Sequence, residues 1–372
     1  MKTTSNVKVT EFRSSVRVIA LFLGLFLAFC LGESGIRGWQ SHLNRSDRLD
    51  LGLIQRERAR GWRMSPGWSG SHQHHDFSVK YSVDSAGFRR DPTFQSGASN
   101  WVAVVGDSFT FGLGVNDSET FVSRLNGLTR GQFVNFGVPG YSTDQEVLLI
   151  ESEVLPRRPS ELLLVVYLGN DLLDNLRFVP LQVSAPKPRF IVTNQELVLL
   201  PAPAPGTPPN PPDPNPAHAL VGPGSRYAWR QKLEERSSLA GLLSRMVGAP
   251  DLSAEFEVKF QPALELFTQL LQRLKSASVK NQVPVRLVLL GSGALVHQPS
   301  SVSGQYQVFL QRKIHQIAQA EGIPVIDLAE SMRQKRQQGS IRELWFHPNE
   351  GHLTPAGHAV VAELLAEALS AE

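Results

Sequence analysis

The sequence predicts an α/β fold built on a parallel sheet with helices on both sides. Five short runs rich in Val, Leu and Ile, at 101–105, 132–136, 161–168, 284–291 and 323–328, read as strands buried on both faces. Amphipathic helical stretches separate them at 117–129, 143–155, 253–277 and 302–321, and Pro355 to Leu369 closes the chain. Strand–helix alternation of this kind implies parallel strands joined by crossover helices. The 372 residues suffice for one large domain plus extras, and 41% apolar against 19% charged residues allows a sizeable core.

The N-terminal element is of another kind. Lys2, Lys8, Arg13 and Arg17 precede an unbroken apolar run from Val18 to Gly32, which Glu33 ends. Basic-then-apolar is the order of an export signal. The run is about 15 residues, short for a full span and at the upper limit for a signal-peptide core. No clear small-x-small cleavage site follows, and Phe29 before Cys30 speaks against lipoprotein processing. Residues 1–35 therefore read as a cytoplasmic tail and uncleaved membrane anchor, N-terminus inside. The alternative is a cleaved signal and a secreted product. Both readings put everything after residue 35 on the extracytoplasmic, periplasmic side.

Residues 36–99 read as a stem and lead-in. Ser46 to Arg60 is densely charged and is expected to be helical. Phe77 to Val83 alternates with period two and reads as a strand, followed by a turn at Asp84–Gly87. Residues 100–372 form the main domain, with an insertion at about 178–250. Within it, 186–200 is compatible with a small hairpin. Residues 201–224 carry ten prolines, which no packed element tolerates, so an extended or disordered loop is expected there.

Several classes are excluded. A net charge of +3 without a Lys/Arg-rich run gives no basis for nucleic-acid binding. The single cysteine, Cys30, rules out an internal disulfide or a cysteine zinc cluster. Gly112-Leu113-Gly114 lacks the Lys-Ser/Thr of a phosphate loop. His72-Gln73-His74-His75 with Asp76 matches no metal-ligand spacing and reads as an exposed loop. No metal and no cofactor is expected. Trp62 and Trp68 read as packing of the lead-in against the domain rather than as a sugar platform.

The chemistry concentrates at strand ends. Gly106-Asp107-Ser108-Phe109-Thr110-Phe111-Gly112 follows the strand at 101–105. A serine just beyond the C-terminal end of a parallel strand lies where open α/β sheets bind ligands. It suggests a nucleophile, provided a base and oxyanion donors exist; alone, such a serine often only caps the next helix. The lipase-type elbow Gly-x-Ser-x-Gly is absent because position 110 is Thr. Three further segments change the odds: Asn135-Phe136-Gly137-Val138-Pro139-Gly140-Tyr141-Ser142-Thr143, Tyr167-Leu168-Gly169-Asn170-Asp171, and Glu350-Gly351-His352-Leu353-Thr354-Pro355-Ala356-Gly357-His358. All fall beyond strand ends or at a helix start, on the sheet edge expected for Ser108.

In order and spacing, these four segments resemble the sequence blocks of the SGNH/GDSL hydrolase superfamily, over roughly 100–180 and 280–370. Tyr81-Ser82-Val83-Asp84-Ser85-Ala86-Gly87-Phe88-Arg89 is similar to the stretch before the first block in exported bacterial members. The resemblance implies a three-layer α/β/α sandwich with a flavodoxin-like parallel sheet of about five strands. Carried over by residue, it makes Ser108 the nucleophile. The oxyanion hole would be the backbone N–H groups of Ser108 and Gly140 and the side-chain amide of Asn170. Such preorganised donors stabilise the tetrahedral intermediate by roughly 3 kcal/mol each. On their own, Gly140 reads as a Pro-Gly turn and Asn170 as a helix N-cap.

Two histidines compete for the base. From His352, offsets of five and ten reach Gly357 and Ala362, small residues where the superfamily packs its last helix. From His347 the same offsets reach His352 and Gly357, a poorer match. His352 is the expected base and His358 a structural residue. The sequence departs from the superfamily at the acid: Asn349 stands where an Asp is usual, three residues before the histidine. Glu350 is the substitute the sequence offers; a Ser–His dyad or a backbone carbonyl as orienter are the alternatives. Leu168 stands where the superfamily often has Gly, a change that reshapes the pocket wall near Asn170.

The function expected is hydrolysis of an O-acyl ester through an acyl-Ser108 intermediate. The substrate expected is an acylated carbohydrate or another small ester, with an O-acetyl group on a cell-envelope or exopolysaccharide glycan as the first choice. An O-acyltransferase, with a sugar hydroxyl replacing water, is one rival. A non-catalytic glycan-binding member is the other, supported by the missing Asp.

Overall fold

The computed structural model describes residues 4–45, 47–93, 100–129, 132–180, 183, 185–203, 249–338 and 344–371. The chain divides into two units, Met1–Ser46 with Arg226–Gly248, and Asp47–Ser225 with Ala249–Glu372. In the first, the described residues form helix α1 (Thr4–Arg45). Its segment Ala20–Trp39, 20 residues with mean hydropathy 1.6, is long and apolar enough to cross a membrane. The helix does not stop at Glu33: that carboxylate accepts Arg37 Nε one turn on, at 2.6 Å.

In the second unit, the lead-in is a set of short antiparallel strands. They are β1 (Arg48–Leu49), β2 (Ile54–Glu57), β3 (Gly61–Met64), β4 (Ser69–Gln73) and β5 (Ser78–Ser82). β1, β4 and β5 form one sheet, and β2 pairs with β3 as a hairpin. The stretch Ser46–Arg60 is expected to be helical, but its described residues, 47–60, form no helix. Gly52 and Gly61, at φ +94° and +90°, turn the chain at each side of β2. Glu57 pairs with Arg60 across the hairpin turn at 2.8 Å instead of along a helix face. β5 follows its expected alternation: Val79 and Tyr81 are buried while Ser78 and Lys80 are exposed.

The central sheet is β6 (Val102–Gly106), β7 (Phe133–Gly137), β8 (Glu161–Tyr167), β11 (Val285–Leu290) and β12 (Val325–Asp327). Between β8 and β11, β9 (Arg189–Thr193) and β10 (Glu196–Leu200) form the hairpin expected at 186–200. From residue 204, the proline-rich segment lies outside the described residues. The central strands are all parallel, in the order β12-β11-β8-β6-β7. Counted along the chain this is 2-1-3-4-5, the flavodoxin-like order.

Side chains alternate across the sheet. Val104, Leu163, Val165, Tyr167, Val288, Leu290 and Ile326 share one core with the helical layer that contains α3 (Phe121–Leu128), α10 (Leu328–Gln338) and α11 (Pro355–Ser370). Ala103, Val105, Leu162, Leu164, Val166, Leu287 and Leu289 are buried on the opposite face. The second layer contains α4 (Thr143–Leu149), α7 (Gln261–Asn281) and α9 (Val302–Glu321). Short helices complete the set: α2 (Ser108–Phe111), α5 (Asp171–Asp174), α6 (Ser253–Lys259) and α8 (Gly293–His297). The helix expected at 253–277 breaks at Phe260, where Pro262 opens α7.

The lead-in is fastened to the α/β body by buried polar contacts. Arg89 pairs with Asp117 at 2.8 Å, its guanidinium 4.6 Å over Tyr81 and 4.4 Å over Phe111. The Tyr81 hydroxyl accepts Gly114 N–H at 2.9 Å and bonds His72 Nδ1 at 2.8 Å. Trp62 Nε1 donates to the Pro139 carbonyl at 3.0 Å.

Candidate active site

The ends of three adjacent strands define the site. β6 ends at Gly106, and Asp107 caps α2 by accepting Phe109 N–H at 2.8 Å. Ser108 is the first residue of α2. It lies between β7 on one side and β8 on the other, at the point where the strand order reverses. A Cβ at Gly137, the last residue of β7, would lie 2.1 Å from Phe111 N, so β7 and α2 meet backbone to backbone.

Beyond β7, Gly140 sits at φ +77° in a turn closed by Tyr141 N–H to the Val138 carbonyl, 3.1 Å. Among the described residues neither Gly140 N–H nor Ser108 N–H has an acceptor. Beyond β8, Asn170 occupies the N-cap position of α5, yet its side chain makes no cap bond. Its Nδ2 donates to Asp174 at 2.8 Å, which leaves the amide a second N–H.

His352 is carried by a loop before α11. Phe346 pairs with Leu353, His347 N–H donates to the His352 carbonyl at 2.8 Å, and Gly351 N–H returns to His347 at 2.9 Å. This brings His352 Nε2 to 2.7 Å from Ser108 Oγ. His352 Nδ1 lies 2.5 Å from Glu350 Oε1, and Glu350 Oε2 accepts His352 N–H at 2.9 Å. Phe109 packs on the imidazole at 4.4 Å and stacks on Tyr167 at 3.9 Å between centroids. Ser108, His352 and Glu350 thus form one hydrogen-bonded line. Gly140 and Asn170 stand beyond the strands that flank Ser108.

The other candidates take different places. His347 meets His352 only through backbone, and its ring packs against Phe77 at 4.9 Å. Burial holds its pKa below the ordinary histidine value. His358, on α11, accepts Phe121 N–H at 3.1 Å and caps α3, a structural place. Trp62 packs inside, edge-on to Tyr141 at 5.7 Å; Trp68 donates to the Leu51 carbonyl at 2.9 Å.

The 72–76 cluster is not simply an exposed loop. His72 is buried in β4, with Nδ1 on Tyr81 and Nε2 at 2.8 Å from Asp47. The Asp76 side chain is only 4% exposed. It accepts Asn349 N–H at 2.8 Å, Asn349 Nδ2 at 2.6 Å and Glu350 N–H at 3.0 Å. Asp76 is the site neighbour that sequence reasoning missed. Its partners are 273 and 274 residues away, so no local spacing marks it.

The site is electrostatically asymmetric. Burial alone would raise the Glu350 pKa, but its hydrogen bond to His352 and the histidine charge hold it below the usual value. Burial pushes Asp107 up to about 6, against the pull of His352 and backbone N–H groups. Glu146 and Asp171, fully buried and within electrostatic reach of Asp107, are held well above their usual values by burial. Glu350 therefore ionises where Glu146 and Asp171 resist it. Among the described residues, no group of three or more His, Cys, Asp or Glu is placed to hold a metal ion. A hydroxyl bonded to an imidazole whose far nitrogen meets a carboxylate can pass its proton to the ring while its oxygen attacks a carbonyl carbon.

Among solved structures, the chain is similar to a lipolytic protein of the G-D-S-L family from Desulfitobacterium hafniense DCB-2. Identity is 14%, over 72% of this chain and 99% of that one, with a TM-score of 0.40. It is also similar to Axe2, an acetylxylan esterase from Geobacillus stearothermophilus, at 12% identity over 73% and 94%, TM-score 0.41. A two-domain esterase active on acetylated mannans matches at 12% identity over 73% of this chain and 49% of that one, TM-score 0.39. No curated protein sequence matches. The GDSL-like lipase/acylhydrolase family matches residues 104–360, from within β6 into α11, and the chain belongs to that family, within the SGNH/GDSL hydrolase superfamily.

Proposed function

We propose that the protein is a serine esterase that hydrolyses an O-acyl ester through an acyl-Ser108 intermediate. The line from Ser108 Oγ through His352 to Glu350, at 2.7 and 2.5 Å, carries this reading. Ser108 Oγ attacks the ester carbonyl carbon and its proton passes to His352 Nε2. The oxyanion draws on the N–H groups of Ser108 and Gly140 and the amide of Asn170. His352 returns the proton to the leaving alkoxide, and the C–O bond breaks. Water then attacks the acyl-enzyme, again through His352, releasing the carboxylic acid and restoring the Ser108 hydroxyl. Glu350 keeps the imidazole in its Nδ1–H tautomer and offsets the imidazolium charge.

The substrate we favour is an O-acetyl group on a cell-envelope or exopolysaccharide glycan. Helix α1, with its apolar Ala20–Trp39 segment, supports that assignment as an uncleaved anchor holding the hydrolase outside the cytoplasmic membrane. A second reading, acyl transfer to a sugar hydroxyl, draws on the burial of Ser108, 1% exposed, because transfer requires that water be kept from the acyl-enzyme. Acetyl transfer to an oligosaccharide in excess of hydrolysis would favour it.

The test uses the full chain in mild detergent, a fluorophosphonate probe and p-nitrophenyl acetate. Wild type is expected to label, and Ser108→Ala to lose labelling. Ser108→Ala and His352→Ala should each lower kcat by about 10³-fold or more, and Glu350→Gln by about 10-fold or more. A wild type that neither labels nor cleaves the ester would sink the proposal.

A further inference from the structure

We infer that Asp76 is a positioning residue for the Glu350–His352 pair, so that the lead-in supplies a working part of the hydrolase. The inference rests on the roles proposed above for Ser108, His352 and Glu350.

Glu350 holds His352 twice, at Nδ1 and at the backbone N–H, only two residues along the chain. The segment between them contains Gly351 at φ +94° and belongs to no strand or helix. Within this short loop the Glu350 side chain is held by His352, the very residue it has to orient, so the pair needs an outside reference. Asp76 provides it. Its Oδ2 bridges the consecutive N–H groups of Asn349 and Glu350, at 2.8 and 3.0 Å, which sets the peptide plane between them. Its Oδ1 accepts the Asn349 amide at 2.6 Å. Three N–H donors converge on one carboxylate, a charge-assisted arrangement stronger than neutral bonds.

The carboxylate is itself anchored. Asp76 lies in the β4–β5 connection, where His74 N–H donates to the Phe77 carbonyl at 2.8 Å and Asp76 N–H donates to His74 Nδ1 at 3.1 Å. The Phe77 ring stacks on His74 at 5.0 Å and lies 4.9 Å from the His347 ring. The connection therefore packs against the same loop it holds. Burial opposes ionisation of Asp76, but the bonds from Asn349 and Glu350 outweigh it and keep the carboxyl below its usual value. The arrangement also accounts for the displaced acid. Asn349, at the position where the superfamily carries Asp, is turned to Asp76; an aspartate there would face another carboxylate.

The experiment measures p-nitrophenyl acetate hydrolysis and thermal unfolding by the full chain in detergent, for Asp76→Ala, Asp76→Asn, Glu350→Gln and Asp76→Ala/Glu350→Gln, with Ser108→Ala alongside. Asp76→Ala is expected to lower kcat about 10- to 100-fold, with KM within about twofold. In the Glu350→Gln background the same change should cost less than about twofold, because the group it positions has gone. Asp76→Asn, which keeps one acceptor oxygen for the two backbone N–H groups, should recover part of the lost kcat. If Asp76→Ala does not fold, Asp76→Asn and its pairing with Glu350→Gln carry the same comparison. Equal losses in both backgrounds, or kcat within about twofold of wild type, overturn the role of Asp76 and leave the serine reading standing. Unimpaired Glu350→Gln overturns it together with the acid role. Activity surviving in Ser108→Ala overturns the underlying reading, and this inference with it.

Discussion

Glu350 joins the charge of the site to its stability. Its folded carboxyl lies below the ordinary value of 4.5, so its contribution is complete above pH 4.5 and is lost as pH falls through the lower, folded value. The melting temperature of wild type is therefore expected to fall more steeply below pH 4.5 than that of Glu350→Gln, measured by circular dichroism on both. Parallel curves would remove the coupling. At this scale the sequence was informative in uneven measure. Ser108 announced itself by following an apolar run, and Glu350 stood out because Asn349 could not do its work. Asp76 was invisible because its meaning lies in a contact 273 residues away, not in its neighbours.

Between elements, the clearest joint is that of α3 and α11. His358 from α11 accepts the Phe121 N–H at the start of α3 and stacks on the Phe121 ring at 5.9 Å. Burial holds this histidine well below 6.5, so it stays neutral in the fold while the unfolded chain takes up a proton below pH 6.5. Stability from this joint thus declines as pH falls below 6.5, toward the folded value. His358→Asn offers an acceptor in place of Nδ1 without a titrating group, and is expected to flatten the dependence of unfolding free energy on pH in that window. Urea denaturation at several pH values measures it; an unchanged slope would remove His358 as its source. The central strands were legible as short apolar runs rich in Val, Leu and Ile, and the helix at 302–321 as an amphipathic stretch. Ser46–Arg60 was misread because charge density resembles a solvated helix face, whereas Gly52 and Gly61 set the turns. The long helix expected at 253–277 overlooked Pro262, which starts a new helix after Phe260.

For the second unit as a whole, the lead-in and the α/β body share buried polar contacts, so they should lose structure together. Tyr81→Phe tests this. It removes the hydroxyl that Gly114 N–H and His72 Nδ1 share, at a cost of about 1–3 kcal/mol. A single urea transition with a lower midpoint and an unchanged slope is expected. Two separated transitions would show that the lead-in unfolds alone. The parallel sheet could be read from alternation, and Trp62 pointed to packing of the lead-in on the body, but the polar contacts of that docking could not be read, because Arg89 and Tyr81 look like ordinary strand and turn residues until Asp117 and Gly114 are brought to them. The distance along the chain between Ser108 and His352 has its own outcome. His352 follows Ser108 at a separation of 244 residues, a stretch that takes roughly 10–50 s to be made at ordinary rates of synthesis. During that interval the serine is an unassisted hydroxyl. Under the proposed mechanism, a chain still leaving the ribosome gains its acyl-cleaving activity only after the loop that carries His352 has been made.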